Sequence, residues 1–235
     1  MKPSFMKDSL PSKNNLYSMK NLFKAVLFAV VGTVIVASCN SKDDYDYVGE
    51  ALKQDKHIDS LLDKEKTKIE EYVQTYFTNP IEDTTKYRFQ VLDKKDVKRG
   101  IWYEIISEPT DDSYEYKLNS GQTNVIFPTW KLKYKVNLLS SETPVQSDLE
   151  GSDYNLTSGS NSNLFTEAWV ISLFPAKYKM NGNDINYIGL TEKGQKKGSK
   201  IRVIVPSIYA YGARTQDKIP ANSPLVYEFE ILSIQ

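Results

Sequence analysis

Thiol and imidazole are nearly absent from this chain: one cysteine and one histidine in 235 residues. A single cysteine excludes an internal disulfide framework. A single histidine, His57 beside Lys56, leaves no cysteine–histidine cluster for zinc and no Ser-His-Asp arrangement that does not use it. His57 reads as a solvated residue of a helix. The phosphate-cradling motifs are missing too, both the P-loop and G-x-G-x-x-G. No metal and no cofactor is therefore expected. Excess charge is also lacking, since 30 Lys+Arg face 30 Asp+Glu. Without a basic stripe, nucleic acid is not an expected partner. The one long apolar run, residues 25–36, is shorter than the roughly 20 residues that span a bilayer.

That run is better read as part of a leader. Residues 1–18 are polar and patternless, and Met19 is the better-looking start. Lys20 and Lys24, the apolar run and Val36-Ala37-Ser38-Cys39 then give the charge, apolar core and small-residue cleavage site of a secretory signal. The tetrapeptide resembles a bacterial lipobox, which implies cleavage before Cys39 and lipidation of that residue. Asn40-Ser-Lys-Asp-Asp resembles the tag that sends some Bacteroidetes lipoproteins to the outer leaflet, although an ordinary charged tether has the same composition. The expected location is the cell envelope, lipid-anchored to a membrane, with the outer membrane first and the cell surface as a variant. Loss of residues 1–38 removes five lysines and one aspartate, leaving 25 basic against 29 acidic side chains.

Residues 39–98 read as a tether and helical arm. Ile58, Leu61, Leu62, Ile69, Val73, Tyr76 and Phe77 recur at three- and four-residue steps, one stripe of a helix within 43–79. Asn79-Pro80 should end it, because proline disfavours helical geometry in the residue before it. The stripe suits docking on the chain's own domain, pairing with a second copy, or holding a partner; docking is the simplest of these.

From Arg99 onward the pattern changes to period 2. Gly100 to Pro109 reads as a strand. Trp130 to Leu139 alternates Leu132, Tyr134, Val136 and Leu138 with lysines and Asn137, the clearest alternation in the chain. Ile201, Val203 and Val205 form a further strand closed by Pro206, and Leu225 to Ile234 another, with Tyr227, Phe229 and Ile231 on one face.

The order of parts in residues 198–235 carries the most specific signal. Glycine, alternating strand, proline, Tyr209-Ala-Tyr211-Gly, a short loop, then Ile219-Pro-x-Asn-x-x-Leu-Val-Tyr-Glu-x-Glu-Ile-Leu resembles the C-terminal third of the FKBP-type peptidyl-prolyl isomerases. That resemblance implies an α+β domain over residues 99–235, with a curved antiparallel sheet around a short helix. It also implies a cleft for proline-containing polypeptides. Trp169 would be its floor, with Tyr134, Tyr154 and Tyr227 as walls. Tyr211 would offer its hydroxyl to a substrate carbonyl, and Ile219 would form an apolar rim. Leu164 and Phe165 match the family's apolar pair ahead of the tryptophan. The family's aromatic–aspartate pair falls on Val145 and Gln146, a departure that implies weak turnover; Asp148 could substitute only if the strand shifts. Residues 170–197 exceed the family's length here and read as an insertion, either a lid, a partner surface or a passive excursion. The resemblance thus implies an envelope isomerase or folding helper. A peptide-binding module that kept the cleft without turnover and a tyrosine-rich glycan binder are the alternatives.

Overall fold

The carboxylate of Asp46 accepts the backbone N–H of Gly49 at 2.8 Å, satisfying one of the donors that every helix start leaves unpaired. Helix α1, Tyr47–Tyr76, follows within the span expected from its apolar spacing and stops short of Asn79-Pro80. The computed structural model describes residues 46–157 and 164–235. The leader, the Cys39 lipidation site and the loop 158–163 lie outside them.

The strands are β1 Ile81–Glu82, β2 Trp102–Ser107, β3 Trp130–Leu138, β4 Gln146–Tyr154, β5 Lys177–Met180, β6 Asn183–Asn186, β7 Lys200–Val205 and β8 Leu225–Ile234. Among the described residues six of them form one antiparallel sheet in the order β1-β2-β7-β8-β3-β4, and β5 pairs with β6 as a separate hairpin. The inward residues of β3, β7 and β8 (Leu132, Tyr134, Val136, Ile201, Val203, Val205, Tyr227, Phe229 and Ile231) are buried in one cluster with Trp169 and Ile171 of a short helix, α2, Glu167–Leu173. The α+β architecture expected for residues 99–235 is the one observed.

The opposite face of the sheet is covered as well. Because side chains alternate across a strand, Ile204 and Val226 point away from α2. They are buried against Ile69, Val73 and Phe77 of the arm, with Trp102 packed alongside. Polar contacts fix the docking. Arg202 bridges Glu104 at 2.7 Å and Glu228 at 3.1 Å and donates to the carbonyl of Tyr76 at 3.1 Å. Glu104 in turn accepts the Thr78 N–H at 2.8 Å. Further along α1, buried Asp55 accepts the N–H groups of Gln90, Val91 and Leu92. The arm therefore shares a core with the sheet, and residues 46–235 form one compact unit with no break at residues 98–99.

The extra length after α2 has a defined shape. The β5–β6 hairpin carries Tyr178 and, just beyond it, Tyr187, which packs on Phe174 at the C-terminal end of α2. Phe174 also meets Tyr116, Phe127 and Trp130. The hairpin thus sits at the end of α2 away from Trp169's N-terminal turn, filling space beside residues 114–127 rather than capping the tryptophan.

Candidate functional site

Trp169 is completely buried at the start of α2, and rings crowd it from four sides. Phe229 lies 4.9 Å away, Tyr134 5.0 Å, Phe165 5.1 Å and Tyr154 5.5 Å between ring centroids. All but the tilted Tyr154 meet it near edge-to-face, the arrangement favoured by the ring quadrupoles. The indole Nε1 has no partner among the described residues, leaving an unspent donor in the floor of this aromatic cradle.

Tyr211 belongs to the same buried cluster as Trp169. Its loop begins with Pro206 and a 3-10 turn, Ser207–Tyr209, in which the carbonyl of Ser207 accepts the N–H groups of Ala210 at 2.9 Å and Gly212 at 2.8 Å. Burial pushes the Tyr211 phenol up from its ordinary value, against the pull of the Gln146 amide, so at neutral pH it remains a proton donor. Gln146 Nε2 donates to the Tyr211 hydroxyl at 2.9 Å, and that hydroxyl donates to Gln146 Oε1 at 3.1 Å.

Strand β4 brings a carboxylate to the same place by an irregularity. Gln146 pairs with Val136 and Asp148 with Tyr134, but the register then shifts, and Ser152 pairs with Leu132. The slack is a bulge at residues 149–151. Gly151 sits there at φ 91°, where a Cβ would lie 2.7 Å from the Leu232 side chain. Asp148 Oδ1 closes the bulge by accepting the N–H groups of Glu150 at 3.1 Å and Gly151 at 2.8 Å. Its Oδ2 accepts the Tyr154 hydroxyl at 2.7 Å. The Ser152 and Tyr154 hydroxyls and the Gly151 N–H hold the Asp148 carboxyl down at about 2, so it is ionised at any physiological pH.

These contacts change the reading of several side chains. Gln146, which falls on the aspartate position in the sequence, instead clasps Tyr211, while the carboxylate beside the cradle is Asp148. The register shift comes only after Asp148, so Gln146 and Asp148 keep their spacing along β3. Tyr227 is buried beneath the cradle rather than forming a wall, its ring stacked on Phe229 and its hydroxyl 3.2 Å from Thr166 Oγ1. Ile219 is likewise a core residue, 1 % exposed, and not an open rim. Val145, Gln146, Leu164 and Phe165 are half-buried and form the accessible lip, while Tyr134 and Tyr154 lie below it. Phe229 had no sequence-level role beyond the core, although its phase with Tyr227 put it on the same face. Gly151 inside a strand was the available signal for the bulge. The tyrosines 134, 154, 178, 209, 211 and 227 are all buried and build the core and the cradle.

Comparison with known proteins bears on this geometry. Residues 122–232 match the family model described as FKBP-type peptidyl-prolyl cis-trans isomerase. Over 39 residues the chain is 44% identical to the FKBP-type peptidyl-prolyl cis-trans isomerase FkpA of Buchnera aphidicola subsp. Acyrthosiphon pisum; the match covers 17% of this chain and 16% of that one. The structure is similar to FkpA from Escherichia coli, with TM-score 0.43 and 18% identity over 83% of this chain and 75% of the other. It is also similar to a peptidyl-prolyl cis-trans isomerase from Pseudomonas syringae, with TM-score 0.42 and 16% identity over 75% and 95% of the two chains.

Proposed function

We propose that this chain, whose residues 122–232 match the FKBP-type peptidyl-prolyl cis-trans isomerase family, binds proline-containing segments of polypeptides over the Trp169 cradle and eases rotation about their X–Pro bond. Rotation of that amide faces a barrier of about 18–20 kcal/mol, because the planar group loses its resonance midway. The reaction calls for a surface that holds the twisted amide better than either planar form. Rings around Trp169 provide an apolar bed for the proline ring. The Tyr211 hydroxyl is a neutral donor for a substrate carbonyl once it leaves Gln146. Asp148 holds Tyr154 in place through a charge-assisted hydrogen bond, which is stronger than a neutral one.

The observation that carries this reading is the 2.9 Å hydrogen bond from Gln146 of β4 to Tyr211, a member of the buried cluster that holds Trp169. Val145 puts an aliphatic side chain where the family has a ring, and Gln146 occupies the hydroxyl, so turnover is slower than that of a typical family member. This favours peptide binding as the more robust property. The proposal extends to location: the lipobox-like Val36–Cys39 supports an envelope lipoprotein whose substrates are exported polypeptides. Titration of the intact chain in detergent with a tetrapeptide containing Leu-Pro tests the reading. Saturable perturbation of amide signals at Gln146, Phe165 and Tyr211 is expected, and it is absent with the Leu-Ala control. Equal response to both peptides would sink it.

A further inference from the structure

Helix α1 carries a buried carboxylate that neither the arm's apolar stripe nor the proposed chemistry uses. Glu65 is 5 % exposed. Its Oε2 accepts the backbone N–H of Ser207 at 2.7 Å, and its Oε1 accepts the Ser207 hydroxyl at 2.5 Å. Ser207 itself is fully buried and is the residue on which the Tyr211 loop closes. Its carbonyl receives the N–H groups of Ala210 and Gly212, the two neighbours of Tyr211, and the carbonyl of Gly212 receives the Asn222 N–H at 2.7 Å. Every hydrogen-bonding group of Ser207 is thereby engaged, on one side by α1 and on the other by the residues flanking Tyr211.

We propose that Glu65 is a positioning residue for the site: through Ser207 it sets the loop that presents the Tyr211 hydroxyl to Gln146 and to a bound prolyl peptide. The inference deepens the isomerase reading and rests on it for the peptide, but not for the loop. Carboxylates accepting a backbone N–H and a hydroxyl together make stronger contacts than neutral acceptors, and removing one partner strands a buried donor. Glu65 is outside the segment that matches the family model, residues 122–232, so the device joins the N-terminal helix to a site built from the C-terminal part of the chain. Displacing α1 from the sheet would withdraw that support from Tyr211.

The test uses the intact chain in detergent and three variants, Glu65→Ala, Glu65→Gln and Ser207→Ala. Hydrogen exchange of the backbone around 207–213 is compared with that of α1 and β7, alongside affinity for the Leu-Pro tetrapeptide. Glu65→Ala should speed exchange around 207–213 by about tenfold or more, as expected for the loss of a hydrogen bond to a charged group. Exchange in β7 should stay near wild type, and peptide affinity should fall. Glu65→Gln still offers an acceptor to the N–H and a donor to the hydroxyl, and should restore most of both properties. Ser207→Ala keeps the backbone contact and should fall between; it also decides the matter if Glu65→Ala does not fold. Wild-type exchange around 207–213 in a folded Glu65→Ala or Ser207→Ala chain overturns the inference. So does acceleration spread equally over α1 and β7. If wild type itself ignores the peptide, the isomerase reading fails, while the exchange pattern still decides the role of Glu65.

Discussion

At the scale of single residues, Asp148 shows how little a strand's sequence reveals when backbone geometry chooses the partner. Gln-Ser-Asp-Leu-Glu-Gly-Ser-Asp-Tyr has no apolar alternation, since β4 is an edge strand with few buried positions. Counting along it puts Gln146 where the family has a carboxylate, and Gln146 does meet Tyr211; what the count does not show is the bulge at Gly151, which brings Tyr154 back onto Asp148. Hydrogen bonds from Ser152, Tyr154 and Gly151 hold that carboxyl at about 2 in the folded chain, against an ordinary value of 3.8. A depressed carboxylate contributes stability above its unfolded value and loses it as pH falls through the folded one. The stability difference between wild type and Asp148→Asn, read from urea unfolding, should therefore be constant from about pH 7 to pH 5 and close between about pH 4 and pH 2. A difference unchanged at the acid end would mean that the contact with Tyr154 does not depend on charge.

Among the elements, β3, β7 and β8 were legible because each buries one face and exposes the other, so period 2 survives in the sequence. Helix α1 was legible in extent for the same kind of reason, through its three- and four-residue apolar steps. Its docking on the sheet was the simplest use of that stripe, but the polar ties that fix it were not legible. Asp55 and Glu65 lie on the buried stripe, yet charged residues on a helix read as solvated until the backbone N–H groups that they serve are seen. Truncation measures the consequence. Leu62, Ile69, Val73 and Phe77 are buried on the arm, and each is worth about 1.5–3 kcal/mol. Removing them also bares Ile204 and Val226 and strands the Ser207 N–H. A chain beginning at Val97 should lose the cooperative thermal transition of the full chain or melt far below it. Melting within a few degrees of the full chain would show that the sheet and α2 are self-sufficient.

For the whole molecule, the sequence carried the architecture and the aromatic residues of the cradle, because rings and strands leave periodic or type-specific traces. It did not separate the accessible lip from the buried floor. That division depends on how Tyr227 and Ile219 pack, not on their identities. The proposed anchor is tested independently of the fold: Cys39→Ala should abolish incorporation of a fatty-acid label and leave a longer precursor. Labelling at the wild-type level would remove the lipoprotein reading without touching the cleft.

The central claim is that prolyl bonds rotate over Trp169 under the Tyr211 hydroxyl. Its most direct test is the catalysed isomerisation rate of a Leu-Pro tetrapeptide by the intact chain and by Tyr211→Phe and Val145→Phe. The account predicts measurable catalysis by wild type and a fall of about tenfold in kcat/KM for Tyr211→Phe, the equivalent of one hydrogen bond of about 1.4 kcal/mol. Both variants should melt close to wild type, and Val145→Phe should be faster through the restored ring. Catalysis indifferent to Tyr211→Phe, or no catalysis in wild type and in Val145→Phe alike, would contradict it.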